Sequence, residues 1–242
     1  MKQTDFLRHN SPFQALSIVD DETRAVFYKK TYLHVALAVL LFIVVETLLL
    51  QVESLVTFMF SLTQGWTWLL VLGAFMMATS YAEKMAHKSH DRNQQYMGLL
   101  LFVVAEAVIF LPLIAIALQY QVMAGEESSL LSQAATVTLS LFTALSAVVL
   151  ITKKDFSFLK SILAVGFIIA IGVIIAGMIF GFDLGLLFSG VMVVLAAGAI
   201  LYQTSNIVHH YHTDQYVGAA LGLFSSLMLL FWYVLSIFMS RD

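Results

Sequence analysis

Leu159-Lys160-Ser161-Ile162-Leu163-Ala164-Val165-Gly166-Phe167-Ile168-Ile169-Ala170-Ile171-Gly172-Val173-Ile174-Ile175-Ala176-Gly177-Met178-Ile179-Phe180-Gly181 carries one charged side chain, Lys160, close to its start. Wound as a helix at 1.5 Å per residue, it reaches about 34 Å, enough to cross the roughly 30 Å hydrocarbon core of a bilayer. No face of such a helix suits water, so the stretch reads as a membrane span. Working outward, comparable runs fall at about 31–52, 66–82, 97–119, 131–151, 186–208 and 216–239. These make seven expected spans, the second of them short. Residues 54–64 read as an interfacial segment or as an extension of either neighbouring span. The connections are too short to fold separately, so the chain divides into a polar tail, 1–26, and one membrane domain, 27–242.

Composition agrees with this reading. Of the 242 residues 60% are hydrophobic and 11% charged, with mean hydropathy +0.91. Soluble domains carry roughly a quarter charged residues, and a core of this size cannot hide so much apolar surface from water. The net charge of −3 gives no clustered basic face for nucleic acid. Cysteine is absent, which removes disulfides, thiol nucleophiles and cysteine-bound zinc. The first 26 residues lack the short apolar core and small-residue cleavage site of a signal peptide, so none is expected.

Charge placement sets an expected orientation. Lys2, Arg8, Arg24, Lys29 and Lys30 precede the first span, Lys84, Lys88 and Arg92 follow the second, and Lys153, Lys154 and Lys160 follow the fourth. Eleven of twelve basic residues therefore share one side, with Arg241 on the other. The positive-inside rule puts the N-terminus in the cytoplasm and the C-terminus outside, which requires an odd number of spans. Trp66, Trp68, Trp232 and Tyr233 then fall near outer ends, and Tyr28, Tyr32, Tyr96, Tyr211 and Tyr216 near inner ones, as interfacial belts. The short tail leans toward a bacterial inner membrane.

Small residues at four-residue spacing, Gly177 with Gly181 and Gly218 with Gly222, are expected to pack helices within the bundle, with dimerisation as the alternative. Two carboxylates fall well inside spans, Glu46 and Glu106. A charge there costs about 2.5–3.5 kcal/mol on insertion scales, so both are expected to face the bundle interior or water. Pro112, six residues after Glu106, frees the carbonyl of Val108, and together they suit a polar cavity. Glu106 reads either as a neutral acid bonded to a neighbouring helix or as part of a pathway.

The densest polar patch is Tyr202-Gln203-Thr204-Ser205-Asn206, followed by His209, His210, Tyr211, His212 and Asp214. Gln203 and Asn206 share a helical face and can bridge to another helix. His209, His210 and His212, with His87 and His90 on the same expected side, are candidates for sensing pH between 5 and 8. A zinc site from His209, His212 and Asp214 was weighed against a solvated helix end, and the second reading is preferred. His34, one turn into the first span, reads as interfacial or interior. Ser189 has no Gly-x-Ser-Gly context, no His-Glu-x-x-His occurs, and the last span has no lysine for a Schiff base. These exclude a rhomboid-like protease, a zinc protease of that kind and a retinal protein, and no enzyme or cofactor is expected.

The run from Ile200 to Tyr211, continuing through Thr213-Asp214-Gln215-Tyr216-Val217, resembles the transmembrane Bax inhibitor motif family. Thr152-Lys153-Lys154-Asp155-Phe156-Ser157-Phe158-Leu159 resembles the loop between that family's fourth and fifth spans, and the resemblance covers nearly the whole chain. It implies an all-α membrane protein of seven transmembrane helices, in which two three-helix layers wrap a central C-terminal helix. Gly218 and Gly222 would lie where that helix is approached closely. The resemblance also implies a pH-sensitive calcium leak and, in bacteria, modulation of a membrane protease. The leak is attributed to two aspartates that share a proton when closed. Here the matching positions are Gln203 and Ser226, neither of which titrates. Two functions are therefore expected from the family. One is a passive calcium or cation leak lacking the di-aspartyl switch, its polar core drawn from Glu46, Glu106, Gln203, Asn206 and Ser226. The other is a non-conducting regulator of a membrane protease or another membrane partner.

Overall fold

The computed structural model describes residues 15–87, 91–124 and 129–240, all helix, turn and loop apart from one isolated bridge between Ala15 and His212. Lys2, Arg8, Lys88, His90 and Arg241, with most of the polar tail, lie outside the described residues. After a short 3-10 turn at Leu16–Ile18 come eight helices: α1 Asp21–Leu50, α2 Glu53–Leu62, α3 Trp66–Ala86, α4 Arg92–Ala124, α5 Leu130–Thr152, α6 Leu159–Phe180, α7 Gly185–His209 and α8 Tyr216–Met239. Six are long and apolar enough to cross a membrane alone, and α2 with α3, bent by 108° around Gly65, make a seventh only if the bent pair counts as one broken span and not as a re-entrant loop. Residues 54–64 thus belong to a separate short helix. Gly65, at φ 61°, makes the corner that a side chain would resist.

The helices overrun the apolar stretches at the end of the bundle where the lysines cluster, called here the basic end. α1 starts ten residues before the first apolar run because Asp20 caps it, its carboxylate accepting from the Thr23 amide at 3.2 Å and the Thr23 hydroxyl at 2.6 Å. Residues 15–20, just before it, are tied to the bundle. The Leu16 side chain is fully buried and its amide donates to the Tyr211 carbonyl at 3.0 Å. Arg24 donates to the carbonyls of Leu16 and Val19, both at 2.9 Å.

Polarity shows the inward face of each helix better than hydrophobicity does, because lipid accepts apolar side chains as readily as the core. In α1 the buried stripe is Phe27, Thr31, Val35, Ala38, Phe42 and Glu46, while Leu33, Leu37, Leu40 and Leu48 face outward. In α5 it is Leu130, Ala134, Thr138, Phe142, Ser146 and Val149. α8 buries fourteen of its 24 residues and packs against α1, α3, α4, α5 and α7, so the last helix is the central one. α6 leans on α7, with Leu195 filling the space at Gly166 and Leu163 that at Gly198.

The glycine pairs divide. A Cβ on Gly218 would stand 2.9 Å from the Ala86 carbonyl, and one on Gly222 2.9 Å from Gln203 Oε1, so this pair admits both neighbours of α8. Gly177 and Gly181 do not form a seam between helices. Gly181 ends α6 in the left-handed conformation, φ 71°, and the space at Gly177 is taken by the backbone of Phe182 in the same turn. Their spacing reflects a helix C-cap.

Candidate functional site

Three cavities lie along α7, successive ones sharing lining residues. The first, at the basic end, has about 360 Å³ between His87, Lys160, Tyr202, Asn206, His210 and Gln215. The middle one, about 190 Å³, is bounded by Lys160, Tyr202, Gln203, Ser225, Ser226 and Leu229. The third, about 550 Å³, is lined by Glu106 with Thr79, Ser225, Leu229, Trp232 and Ser236. Lys160 and Tyr202 border the first two, Ser225 and Leu229 the last two. Glu46 belongs to none of these. It lines a separate cavity of about 430 Å³ between α1 and α5.

The expected polar core is therefore brought together only in part. Gln203 and Ser226 meet at the middle cavity, Asn206 lies one step toward the basic end, and buried Glu106 one step away from it. α4 runs as one helix through Pro112. Gln203 lies against Gly222, and the Ser226 hydroxyl donates to the Gly222 carbonyl at 3.0 Å. The α7–α8 contact at the centre is thus an amide packed where a side chain is missing, with the Ser226 hydroxyl bonded within α8. Among the described residues no carboxylate lines that cavity, and the charged residue in its lining is Lys160.

The histidines are engaged at the basic end. His209 Nε2 is 3.2 Å from the Lys153 carbonyl, His212 Nδ1 is 3.2 Å from Gln215 Oε1, and His87 Nε2 is 3.2 Å from the Tyr211 hydroxyl. His210 lines the first cavity. Among the described residues no three histidine, aspartate or glutamate side chains converge as metal ligands. His34 is half-buried, stacked on Tyr96 and 3.1 Å from its hydroxyl. Nearby, Tyr216 receives Arg92 at 4.3 Å and Lys30 at 5.3 Å over its ring.

Sequence reasoning missed two features. Ser225, passed over for its neighbour Ser226, is the hydroxyl shared by the middle and third cavities. A clasp also ties the α5–α6 loop to α7: the Phe156 amide donates to Ser205 Oγ at 2.8 Å, and Ser205 donates to Asp155 Oδ1 at 3.3 Å. Asp155 further accepts the Ser157 hydroxyl at 2.5 Å and amide at 2.8 Å. The Ser157 bonds first, then the charge of His209 and the Ser205 hydroxyl, hold its carboxyl below the ordinary aspartate value of 3.8. An aspartate followed two residues later by serine is the signal for such a turn.

Helices with apolar outsides and a polar seam around a buried last helix define a multi-pass membrane protein. Over residues 24–242 the chain matches the family described as inhibitor of apoptosis-promoting Bax1, and it belongs to that family. It is 28% identical over 233 residues to protein LIFEGUARD 4 of Arabidopsis thaliana, a match covering 91% of this chain and 87% of that one. It is 39% identical over 108 residues to the modulator of FtsH protease YccA of Escherichia coli K12, covering 43% of this chain and 49% of the relative. An uncharacterized protein of Pseudomonas aeruginosa, PA2604, is 36% identical over 111 residues, 46% of this chain and 50% of its own. The chain thus spans about half the length of the bacterial relatives it matches.

Proposed function

We infer that this protein is a non-conducting, non-enzymatic regulator of a membrane-bound protease. The carrying observation is the centre of the bundle, where the family resemblance places two aspartates. There Gln203 packs on Gly222, and Ser226 bonds to its own helix around a cavity of only about 190 Å³. Neither group changes charge with pH, and Lys160 on the rim repels cations. A central contact that stays closed favours a role played through the protein's surfaces. The likeness to the Escherichia coli modulator of FtsH protease, over about half its length, supports the same reading. The basic end, with Lys29, Lys30, Lys84, Lys153, Lys154 and Lys160, faces the cytoplasm, as the positive-inside rule requires, and the chain sits in a bacterial inner membrane. An Escherichia coli relative is itself an inner membrane protein.

The test is co-expression with FtsH while following degradation of a membrane substrate. The expected result is a changed rate together with co-purification of the two proteins, and an unchanged rate without association refutes it. One observation favours the second reading, a passive cation leak: the three cavities share border residues from Asn206 to Glu106. Proteoliposomes loaded with a calcium dye decide between the two. Flux no greater than in empty liposomes from pH 6 to 8 fits a regulator, whereas flux abolished by Glu106→Gln establishes the leak.

A further inference from the structure

The cavity containing Glu46 shares no lining residue with the three along α7, so its reading stands or falls independently of the proposed function. α1 and α5 meet where Tyr32 and Phe142 stack edge to face, 6.3 Å between centroids. Beyond that contact a space of about 430 Å³ lies between them, with Ile114, Leu227, Met228 and Phe231 from α4 and α8 behind it. That volume falls in the range of small-molecule sites, roughly 300–1,000 Å³. Along α1 its lining runs from Val39 to Leu50, about 16 Å at 1.5 Å per residue. The space suits a single extended chain.

Its polar groups are few and specific. Glu46 is 4% exposed and Thr138 2%, and both line the cavity. Among the described residues neither oxygen of Glu46, nor the Thr138 hydroxyl, has a hydrogen-bond partner. The other hydroxyls of these helices behave differently. Thr47 donates to the Ile43 carbonyl at 2.7 Å, Thr136 to Ser132 at 2.8 Å and Ser132 to Ser129 at 2.8 Å. Their hydrogens are spent on their own backbone and cannot serve Glu46. Among the described residues no lysine, arginine or histidine lines the cavity. A buried carboxylate with no donor in reach is strongly unfavourable, and apolar neighbours do nothing to relieve it.

We propose that this cavity binds a single-chain primary amine, its ammonium on Glu46 and Thr138 and its alkyl chain between α1 and α5. A primary ammonium has three donors and no acceptor, which matches three oxygens lacking donors. It also brings the counter-charge, and charge-assisted bonds to carboxylate are the stronger kind. A long-chain alcohol offers one donor and no charge. A two-chain phospholipid amine would bring a phosphate, for which the lining has no cation.

The test uses the full chain in nanodiscs of phosphatidylcholine and phosphatidylglycerol, with dodecylamine as probe and native mass spectrometry and thermal unfolding as readouts. One amine per chain is expected. Glu46→Gln should weaken it by at least about tenfold, the scale of one lost charge-assisted bond, and Thr138→Val by a smaller factor. Dodecanol and dodecyltrimethylammonium should bind the wild type no better than the Glu46→Gln variant. Equal dodecylamine binding by wild type and variant, or equal binding of dodecanol and dodecylamine, overturns the proposal. If Glu46→Gln does not fold, Ala135→Phe decides, since Ala135 lines the cavity without contributing a polar group. Binding abolished in a folded Ala135→Phe protein supports the site, and binding retained refutes it. Displacement of dodecylamine in nanodiscs rich in phosphatidylethanolamine overturns the single-chain assignment.

Discussion

Gly98→Ala tests whether the helices approach as closely as the structure requires. A Cβ at Gly98 would stand 2.6 Å from the Ala82 carbonyl oxygen, 2.7 Å from the Ala86 amide nitrogen and 3.0 Å from the Met85 Cβ. All three belong to α3, and two are backbone, so no side-chain rotation relieves the contact. Overpacking of this kind costs about 1–3 kcal/mol, while alanine gains up to about 1 kcal/mol over glycine inside a helix. The net loss is then about 1–2 kcal/mol. For a chain of this size each kcal/mol moves Tm by roughly 2–4 °C, so a fall of about 2–8 °C is expected. Two other glycines calibrate it. Gly172, also in a helix, has nothing within 4 Å of its added Cβ, so Gly172→Ala should leave Tm unchanged or raise it. Gly222→Ala meets only the end of the Gln203 side chain, which can rotate away, and should fall between the two. Thermal unfolding of the three variants in one detergent is the assay. A Gly98→Ala protein as stable as Gly172→Ala would refute the α3–α4 packing described here.

Further expectations concern the basic end. Ser205→Ala leaves the Phe156 amide without its acceptor, so about 1–2 kcal/mol of stability should be lost, and amide exchange at residues 153–158 should rise above that of wild type. Because Asp155 is held below 3.8, its contribution is present above that value and lost as pH falls through the lower folded value. Amide exchange of that loop, corrected for intrinsic rate, should therefore stay constant from pH 5 to 8 and rise only in stronger acid, and Asp155→Asn should remove the rise. Lys153→Gly should stabilise by up to about 1 kcal/mol, measured by thermal unfolding, because Lys153 ends α5 at φ 52°. Arg24→Ala removes two bonds to the carbonyls of Leu16 and Val19 and should expose the chain near Leu16 to limited proteolysis.

The spans were legible because lipid demands long apolar runs, and a run such as 159–181 has no other home. Their ends at the basic side were not, since Asp20 and the polar residues after it continue a helix that hydropathy alone would stop at residue 31. Burial of Glu46 could have been read from spacing: it lies four residues after Phe42 in the stripe that begins at Phe27. That it lines a cavity away from Glu106 could not, because which helices diverge depends on how α1 and α5 each pack on α8. The Gly177 and Gly181 spacing misled for a local reason. A helix C-cap and a helix–helix seam both favour glycine, and sequence spacing does not separate a left-handed φ from a close neighbour.

The centre of the bundle shows how a membrane protein can do without charge where the family resemblance leads one to expect it. A lone carboxylate between α7 and α8 would need a partner inside the membrane, and removing one of a buried pair leaves the other uncompensated. Gln203 and Ser226 avoid that difficulty together: the amide fills the space that Gly222 leaves, and the hydroxyl is spent on the Gly222 carbonyl. Such a contact is held by packing between the helices and a neutral hydrogen bond within α8, so neither side chain has a proton to lose between pH 5 and 8. The two carboxylates well within the apolar runs, Glu46 and Glu106, lie in separate cavities on different helices, Glu106 sharing its cavity with Glu83. Both cavities are also lined by α8, that of Glu46 by Leu227, Met228 and Phe231 and that of Glu106 by Ser225, Leu229 and Trp232, so a proton or ligand taken up in either acts directly on the central helix.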